Sequence, residues 1–223
     1  AAKYFSDRVR DFIKGTGSTD TLSIRCTLKG SLAYTGKGHA TDRAITLGMH
    51  GYTPESVADE DLESVFKRIF ENSSITINDS LSINFSAEND IVFDQGKPLT
   101  EHPNGMIFEL LSSTGSILLT ETCFSIGGGF IKTLAEINQL VAPLNMKPFV
   151  SCPYAFDSAS SMLTMSADSG LSIAAMKRVN ELEHHSEALL NKGLDDIWDS
   201  MQRCIENGLK AEGILPGGLN IQR

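Results

Sequence analysis

The sequence predicts an α+β domain, an antiparallel sheet with helices on one face, followed by a short helical segment that begins a second, all-α domain. Three observations lead there. The chain opens on an amphipathic helical pattern, with Phe5, Val9, Phe12 and Ile13 on one stripe. A period-two alternation follows through Leu22, Ile24, Cys26 and Leu28, and short apolar runs recur as far as Phe124. Beyond residue 131 the pattern turns to prolines and then to long helical periodicity. The expected division is 1–140 for the α+β domain, 141–156 for an extended linker and 157–223 for the start of the helical domain.

Residues 3–14 read as a helix that stops at the Gly15–Ser18 run, and Thr21–Lys29 as a half-buried strand. A glycine-bearing loop comes next. After it, Thr41 or Asp42 is placed to cap a helix over Arg43–Met49 that ends at Gly51. Thr53–Glu71 reads as a second helical stretch opened by Pro54, with Val65, Phe66, Ile69 and Phe70 late in its run. Ile75–Phe85 and Ile91–Phe93 read as short strands, with a turn at Gln95–Pro98. Met106–Leu111 and Ser116–Phe124 form a strand pair, and Ser125–Phe130 closes this half. Leu140–Phe156 carries Pro143, Pro148 and Pro153 and is expected to be extended. Asp157 is placed to cap a helix to about Ala167, and helices are expected over Leu171–Leu190 and Leu194–Leu209. A loop from Gly213 to Asn220 leads out of the last helix.

Composition narrows the function. With 41% hydrophobic and 21% charged residues, the chain has enough apolar side chains for a buried core. A net charge of −9 argues against a nucleic-acid binder and against an anionic membrane surface. No apolar run approaches the roughly 20 residues of a spanning helix. The N-terminus shows no secretory pattern and no initiator Met, so the chain is expected to start inside a longer protein. Cys26, Cys123, Cys152 and Cys204 lie far apart with no CxxC pair, which fits reduced thiols in an intracellular setting.

Three polar clusters carry the candidate chemistry. Gly36-Lys37-Gly38-His39 follows a strand and precedes a helix, as phosphate loops do, yet it fits neither nucleotide-binding pattern. It reads either as an anion or carboxylate site with an ionisable histidine or as a surface turn. His102-Pro103-Asn104-Gly105 is either a strand-entry turn or a loop that offers an imidazole and an amide to one substrate. Gly127-Gly128-Gly129 permits close approach to a ligand or to a neighbouring segment. His184 and His185 are expected mid-helix and solvated, since adjacent helical positions diverge by about 100° and do not share a metal easily.

Taken together, the motifs resemble the iron–sulfur-dependent bacterial L-serine dehydratases (L-serine ammonia-lyases) of the single-chain type. The matching stretches are Gly30–Asp42, His102–Met106, Ser125–Ile131, Pro153–Phe156, Asn180–Leu182 and Glu212–Leu219. The resemblance implies deamination of L-serine to pyruvate and ammonia. It implies a 4Fe–4S cluster rather than pyridoxal phosphate as the Lewis acid on the hydroxyl, because hydroxide is a poor leaving group. It makes His39 and His102 candidate catalytic residues, and Lys37, Thr41 and Asn104 candidate substrate-binding residues. It further implies a cytoplasmic homodimer. None of the four cysteines matches a ligand position, so no cluster is expected on this chain, and alone it is expected to be inactive. The family's Ser-rich, His-containing segment is expected before Ala1 and its cluster cysteines beyond Arg223. The rival reading is a regulatory module that binds serine or another small carboxylate without chemistry; a purely structural dimerisation domain is a third.

Overall fold

Strand β1 (Leu22–Gly30) is the centre around which the first part of the chain folds. Leu22, Ile24, Cys26 and Leu28 are fully buried while Arg25 is exposed, as the alternation predicts. The structure is a computed structural model that describes residues 1–16, 21–57, 60–71, 73–78, 81–141, 152–215 and 219–223. On one side β1 pairs antiparallel with β5 (Asn104–Ser112), and the sheet continues through β6 (Ile117–Gly127) to β7 (Phe130–Thr133), each pair antiparallel. On the other side it pairs in parallel with β3 (Leu81–Asn84) near its start and β4 (Ile91–Asp94) near its end. β2 (Ser74–Asn78) closes that edge, antiparallel to β3.

The sheet is therefore mostly antiparallel with two parallel pairs at its centre. Parallel neighbours need a crossover. Here α2 (Ser31–Thr35), α3 (Thr41–Met49) and α4 (Leu62–Glu71) return the chain before β3 and β4 add to the edge of β1.

The core lies between the sheet and two helices. From α1 (Ala2–Thr16) come Phe5, Val9 and Ile13, and from α3 come Ile45 and Met49. They meet Leu22, Ile24 and Leu28 of β1 and Phe108 and Leu110 of β5. Each such side chain stabilises the fold by about 1.5–3 kcal/mol. The Phe5 and Phe108 rings stack at 5.4 Å with 20° between planes, and the buried Ser6 hydroxyl donates to the Met49 carbonyl at 2.9 Å. These contacts join α1 to the sheet and to α3.

Several expected elements differ. The helix expected over Thr53–Glu71 forms only from Leu62, because Thr53 and Ser56 bond each other's backbone N–H groups and close a turn around Pro54. Ile75–Phe85 is a hairpin of β2 and β3, with Ile75 opposite Ile83. Neither Thr41 nor Asp42 caps α3; that position is Ala40, in a left-handed conformation at φ 54°. β7 and α5 (Leu134–Val141) extend this half beyond expectation, and Thr133 and Glu136 cap α5 reciprocally.

The described residues divide into two compact units, Ala1–Ala142 with Ile214–Ile221, and Pro143–Gly213 with Gln222–Arg223. The second unit contains α6 (Ala159–Ser169), α7 (Ile173–Leu182) and α8 (Glu187–Lys210). Ser158, not Asp157, caps α6 through a reciprocal box with Ser161, while Asp157 accepts from the Ser161 hydroxyl. The expected Leu171–Leu190 helix breaks after Leu182 because Ser186 starts α8, accepting from the Leu189 N–H at 3.3 Å. His184 and His185 therefore lie in the interhelical turn, not mid-helix, and both are exposed. Leu194, Ile197, Trp198, Met201, Ile205 and Leu209 form an exposed apolar stripe along α8. The extended segment expected over Leu140–Phe156 falls mostly on residues 142–151, outside the described residues, and part of the loop after Gly213 does so too.

Candidate functional site

β1 runs directly into Gly30, whose φ of +58° turns the chain into α2. A Cβ at this position would stand 2.3 Å from the Pro103 carbonyl oxygen, so only glycine fits. That carbonyl accepts the first free N–H of α2, from Ser31, at 2.8 Å. The strand register sets up the contact, since Gly30 stands opposite Asn104 in the β1–β5 pair. The start of α2, at Gly30 and Ser31, is thus docked on the second polar cluster through its backbone.

The second cluster is ordered from within. The Asn104 backbone N–H donates to His102 Nδ1 at 3.1 Å, which puts the proton of the neutral imidazole on Nε2. The half-buried His102 ring lies edge-on to Phe124 at 6.2 Å. Asn104 Nδ2 donates to the Ser125 carbonyl at 3.1 Å, so the third cluster is tied in as well. Beyond Ser125, Gly127, Gly128 and Gly129 all have positive φ, and a Cβ at Gly127 or Gly129 would meet nothing within 4 Å. These glycines serve the β6–β7 turn rather than close packing.

Four N–H groups of the Gly36–Thr41 turn point at carbonyls of the chain itself: Gly36 to Leu32 at 2.9 Å, His39 to Thr35 at 3.2 Å, Ala40 to Lys37 at 3.2 Å and Thr41 to Gly36 at 2.8 Å. These four are taken up and do not cradle a phosphate. Lys37 and His39 are exposed, Thr41 is half-buried, and none has a hydrogen bond or ion pair from its side chain among the described residues. Lys37 Nζ sits 5.4 Å from the centre of the Phe93 ring.

The end of β4 braces this turn, which no sequence motif indicated. Tyr34 OH donates to the Gln95 carbonyl at 2.9 Å, and Lys29 pairs with Asp94 at 2.5 Å. The Lys29 hydrogen bond, helped by the Gly96 N–H, holds the Asp94 carboxyl below its usual range. The structure brings His102 and Asn104 together and joins them to Gly30 and Ser31. Lys37, His39 and Thr41 stand past the far end of α2, about 8 Å along its axis, and no contact among the described residues joins them to His102.

In the second unit, Asn180 is buried and its amide bonds both backbone groups of Tyr154, accepting from N–H at 2.9 Å and donating to the carbonyl at 3.0 Å. This clamp walls a groove of about 870 Å³ whose lining includes Cys152, Phe156, Asp157, Thr164 and Lys177. Two of the resembling stretches, Pro153–Phe156 and Asn180–Leu182, thus meet each other.

Cys26 and Cys123 do not suit an iron–sulfur cluster. They are buried, and burial pushes both thiols up, against the thiolate form a ligand needs. No group of three or more His, Cys, Asp or Glu side chains converges among the described residues.

The profile of the serine dehydratase beta chain matches residues 1–136, the stretch that holds all three polar clusters. The chain belongs to this family. An L-serine dehydratase of Haemophilus influenzae is 34% identical across all of this chain and 47% of its own length. Those of Streptomyces coelicolor and Escherichia coli (TdcG) are 33% and 35% identical, also across all of this chain, covering 48% and 47% of their own lengths. The chain spans about half the length of the curated relatives it matches. Among the described residues, no helix of this serine dehydratase beta chain relative is long and apolar enough to cross a membrane.

Proposed function

We propose that the chain is part of an L-serine dehydratase and forms one wall of a site that deaminates L-serine to pyruvate and ammonia. The observation that carries this is the joining of the three motif loops at Ser31–Pro103, His102–Asn104 and Asn104–Ser125, in a chain about a third identical to proteins of that name. His39 and His102 are assigned to hold and move the proton α to the carboxylate, because imidazole changes charge near neutral pH. Lys37 attracts the substrate carboxylate, Asn104 offers its side-chain oxygen, and Thr41 offers its hydroxyl. The 4Fe–4S cluster that the resemblance implies finds no ligand set among the described residues, and we assign its ligands to the remainder of the protein. The exposed apolar stripe of α8 supports a helical domain that continues beyond these elements.

A homodimer is supported by the exposed Ile126 and Phe130 at the β6–β7 edge, and a cytoplasmic location by the unpaired cysteines. The test of the main reading is pyruvate release from L-serine by the full-length protein; a pure, cluster-loaded protein that releases none contradicts it.

A second reading is a small-carboxylate binding module without catalysis. It is favoured by the separation of Lys37 and His39 from His102, which leaves the turn free to act as its own site. Calorimetry with L-serine on this chain tests it. Saturable heat lost in Lys37→Ala supports it, and no heat at millimolar serine removes it.

A further inference from the structure

We propose that the cleft between α3, α4 and β2 binds a small oxyanion, a carboxylate or a phosphate, at a place lined by none of the motif residues. The cleft has a volume of about 210 Å³ and is lined by His50, Tyr52, Arg68, Ile69, Ser74 and Thr76. At roughly 30 Å³ per water it holds about seven waters, enough for phosphate or an acid of about three or four carbons.

Among the described residues, the lining is rich in donors and carries no carboxylate. Arg68 brings a guanidinium, His50 an imidazole, and Ser74 and Thr76 their hydroxyls. In a chain with 28 acidic and 19 basic residues, a cleft whose described lining has two basic side chains and no acid runs against the background. Arg68 is also held in place: its Nη2 donates to Tyr52 OH at 2.8 Å. No acidic partner of its guanidinium stands among the described residues, and the remaining fork suits two parallel bonds to an oxyanion.

A second cation stands behind the cleft. Arg10 of α1 donates to the Ile77 and Thr76 carbonyls at 2.8 and 3.1 Å, which fixes its charge against the strand that lines the site. Burial, and then the charge of Arg10, holds the His50 imidazole below its ordinary 6.5. The groups around His50 are Arg10 from α1, Arg68 from α4, Tyr52 beside it in the chain, and Glu88, which lines an adjoining cavity of about 90 Å³ shared with His50. A bound anion offsets Arg10 and Arg68 together and raises the imidazole again. Ile69 gives the cleft an apolar wall for the carbon part of an organic acid.

The test follows the five histidine ring signals of this chain by NMR, with inorganic phosphate and with pyruvate titrated separately at fixed pH and ionic strength. His50→Gln assigns the signal. The proposal expects a saturable shift of His50 at millimolar anion while the other four stay still, with at least tenfold weaker binding in Arg68→Gln. Arg68 is exposed, so that variant keeps the fold, and Tyr52→Phe, which frees the guanidinium, is expected to weaken binding less. Whichever anion binds tighter identifies phosphate or carboxylate as the ligand chemistry. The proposal is overturned by no shift with either anion, by a response that chloride reproduces, or by one unchanged in Arg68→Gln.

Discussion

The Ser31 N–H donates to the Pro103 carbonyl at 2.8 Å, and this backbone bond joins two loops that lie seventy-odd residues apart in sequence. It is possible only because the preceding residue has no side chain to meet the same oxygen. The docking of the His102–Asn104 cluster on the start of α2 depends on this junction.

Gly30→Ala is expected to destabilise the chain by at least about 1–3 kcal/mol, through the left-handed backbone and the Cβ clash with Pro103. Gly51→Ala is the control, since Gly51 also has positive φ, at +91°, but open space around it. Denaturant unfolding of the two variants separates strain from clash. Equal losses would show that the Pro103 contact contributes nothing.

Asn104→Asp replaces the donor that faces the Ser125 carbonyl with a second acceptor. A loss of about 1–3 kcal/mol in stability is expected, against about 1 kcal/mol for Asn104→Ala. The backbone N–H that orients His102 survives both substitutions, so the imidazole stays in place. Turnover of the full-length protein should then fall through loss of the amide alone. Wild-type kcat/KM in Asn104→Ala would remove Asn104 from the site.

The Asp94 carboxyl, held below its ordinary 3.8 by Lys29 and Gly96, gives the brace of the glycine turn a defined pH dependence. In the unfolded chain it protonates first, so the unfolded state binds more protons just below the ordinary value. Its contribution is present above 3.8 and is lost as pH falls through the lowered folded value. Stability measured from roughly pH 5 to pH 2 should fall less steeply in Asp94→Asn than in the wild type. Parallel acid limbs would contradict the ion pair.

Asn180→Ala removes both hydrogen bonds to Tyr154 and leaves two backbone groups without partners. A loss of about 2–3 kcal/mol is expected, confined to the second unit. Hydrogen exchange should show the α6–α7 amides opening while β1 and β5 keep their protection. Uniform loss of protection would contradict two independent units.

Much of this was legible in the sequence, and the misses have physical causes. The period-two run Leu22–Leu28 and the stripe Phe5–Ile13 specified β1 and α1, because one face of each is buried on the other. The parallel pairing of β1 with β3 and β4 was not legible, since strand direction depends on how α3 and α4 route the chain. The cap of α6 shifted by one residue, to Ser158, which accepts from the Ser161 N–H, while Asp157 accepts from the Ser161 hydroxyl instead. The apolar periodicity across His184 and His185 hid the break that Ser186 makes by capping α8. At the site, the motif pointed to the imidazole and the amide of His102 and Asn104, but not to the backbone bond that joins them or to the turn of the amide toward Ser125. The Ser31–Pro103 bond is made by backbone atoms, and only Gly30 marked it.

The most direct test of the central claim is kcat for pyruvate formation by the full-length protein carrying His102→Ala or His39→Ala. Loss of a general acid or base predicts a drop of about 10²–10⁴-fold with the fold retained. Wild-type turnover in both variants would contradict the assignment of this wall to serine deamination.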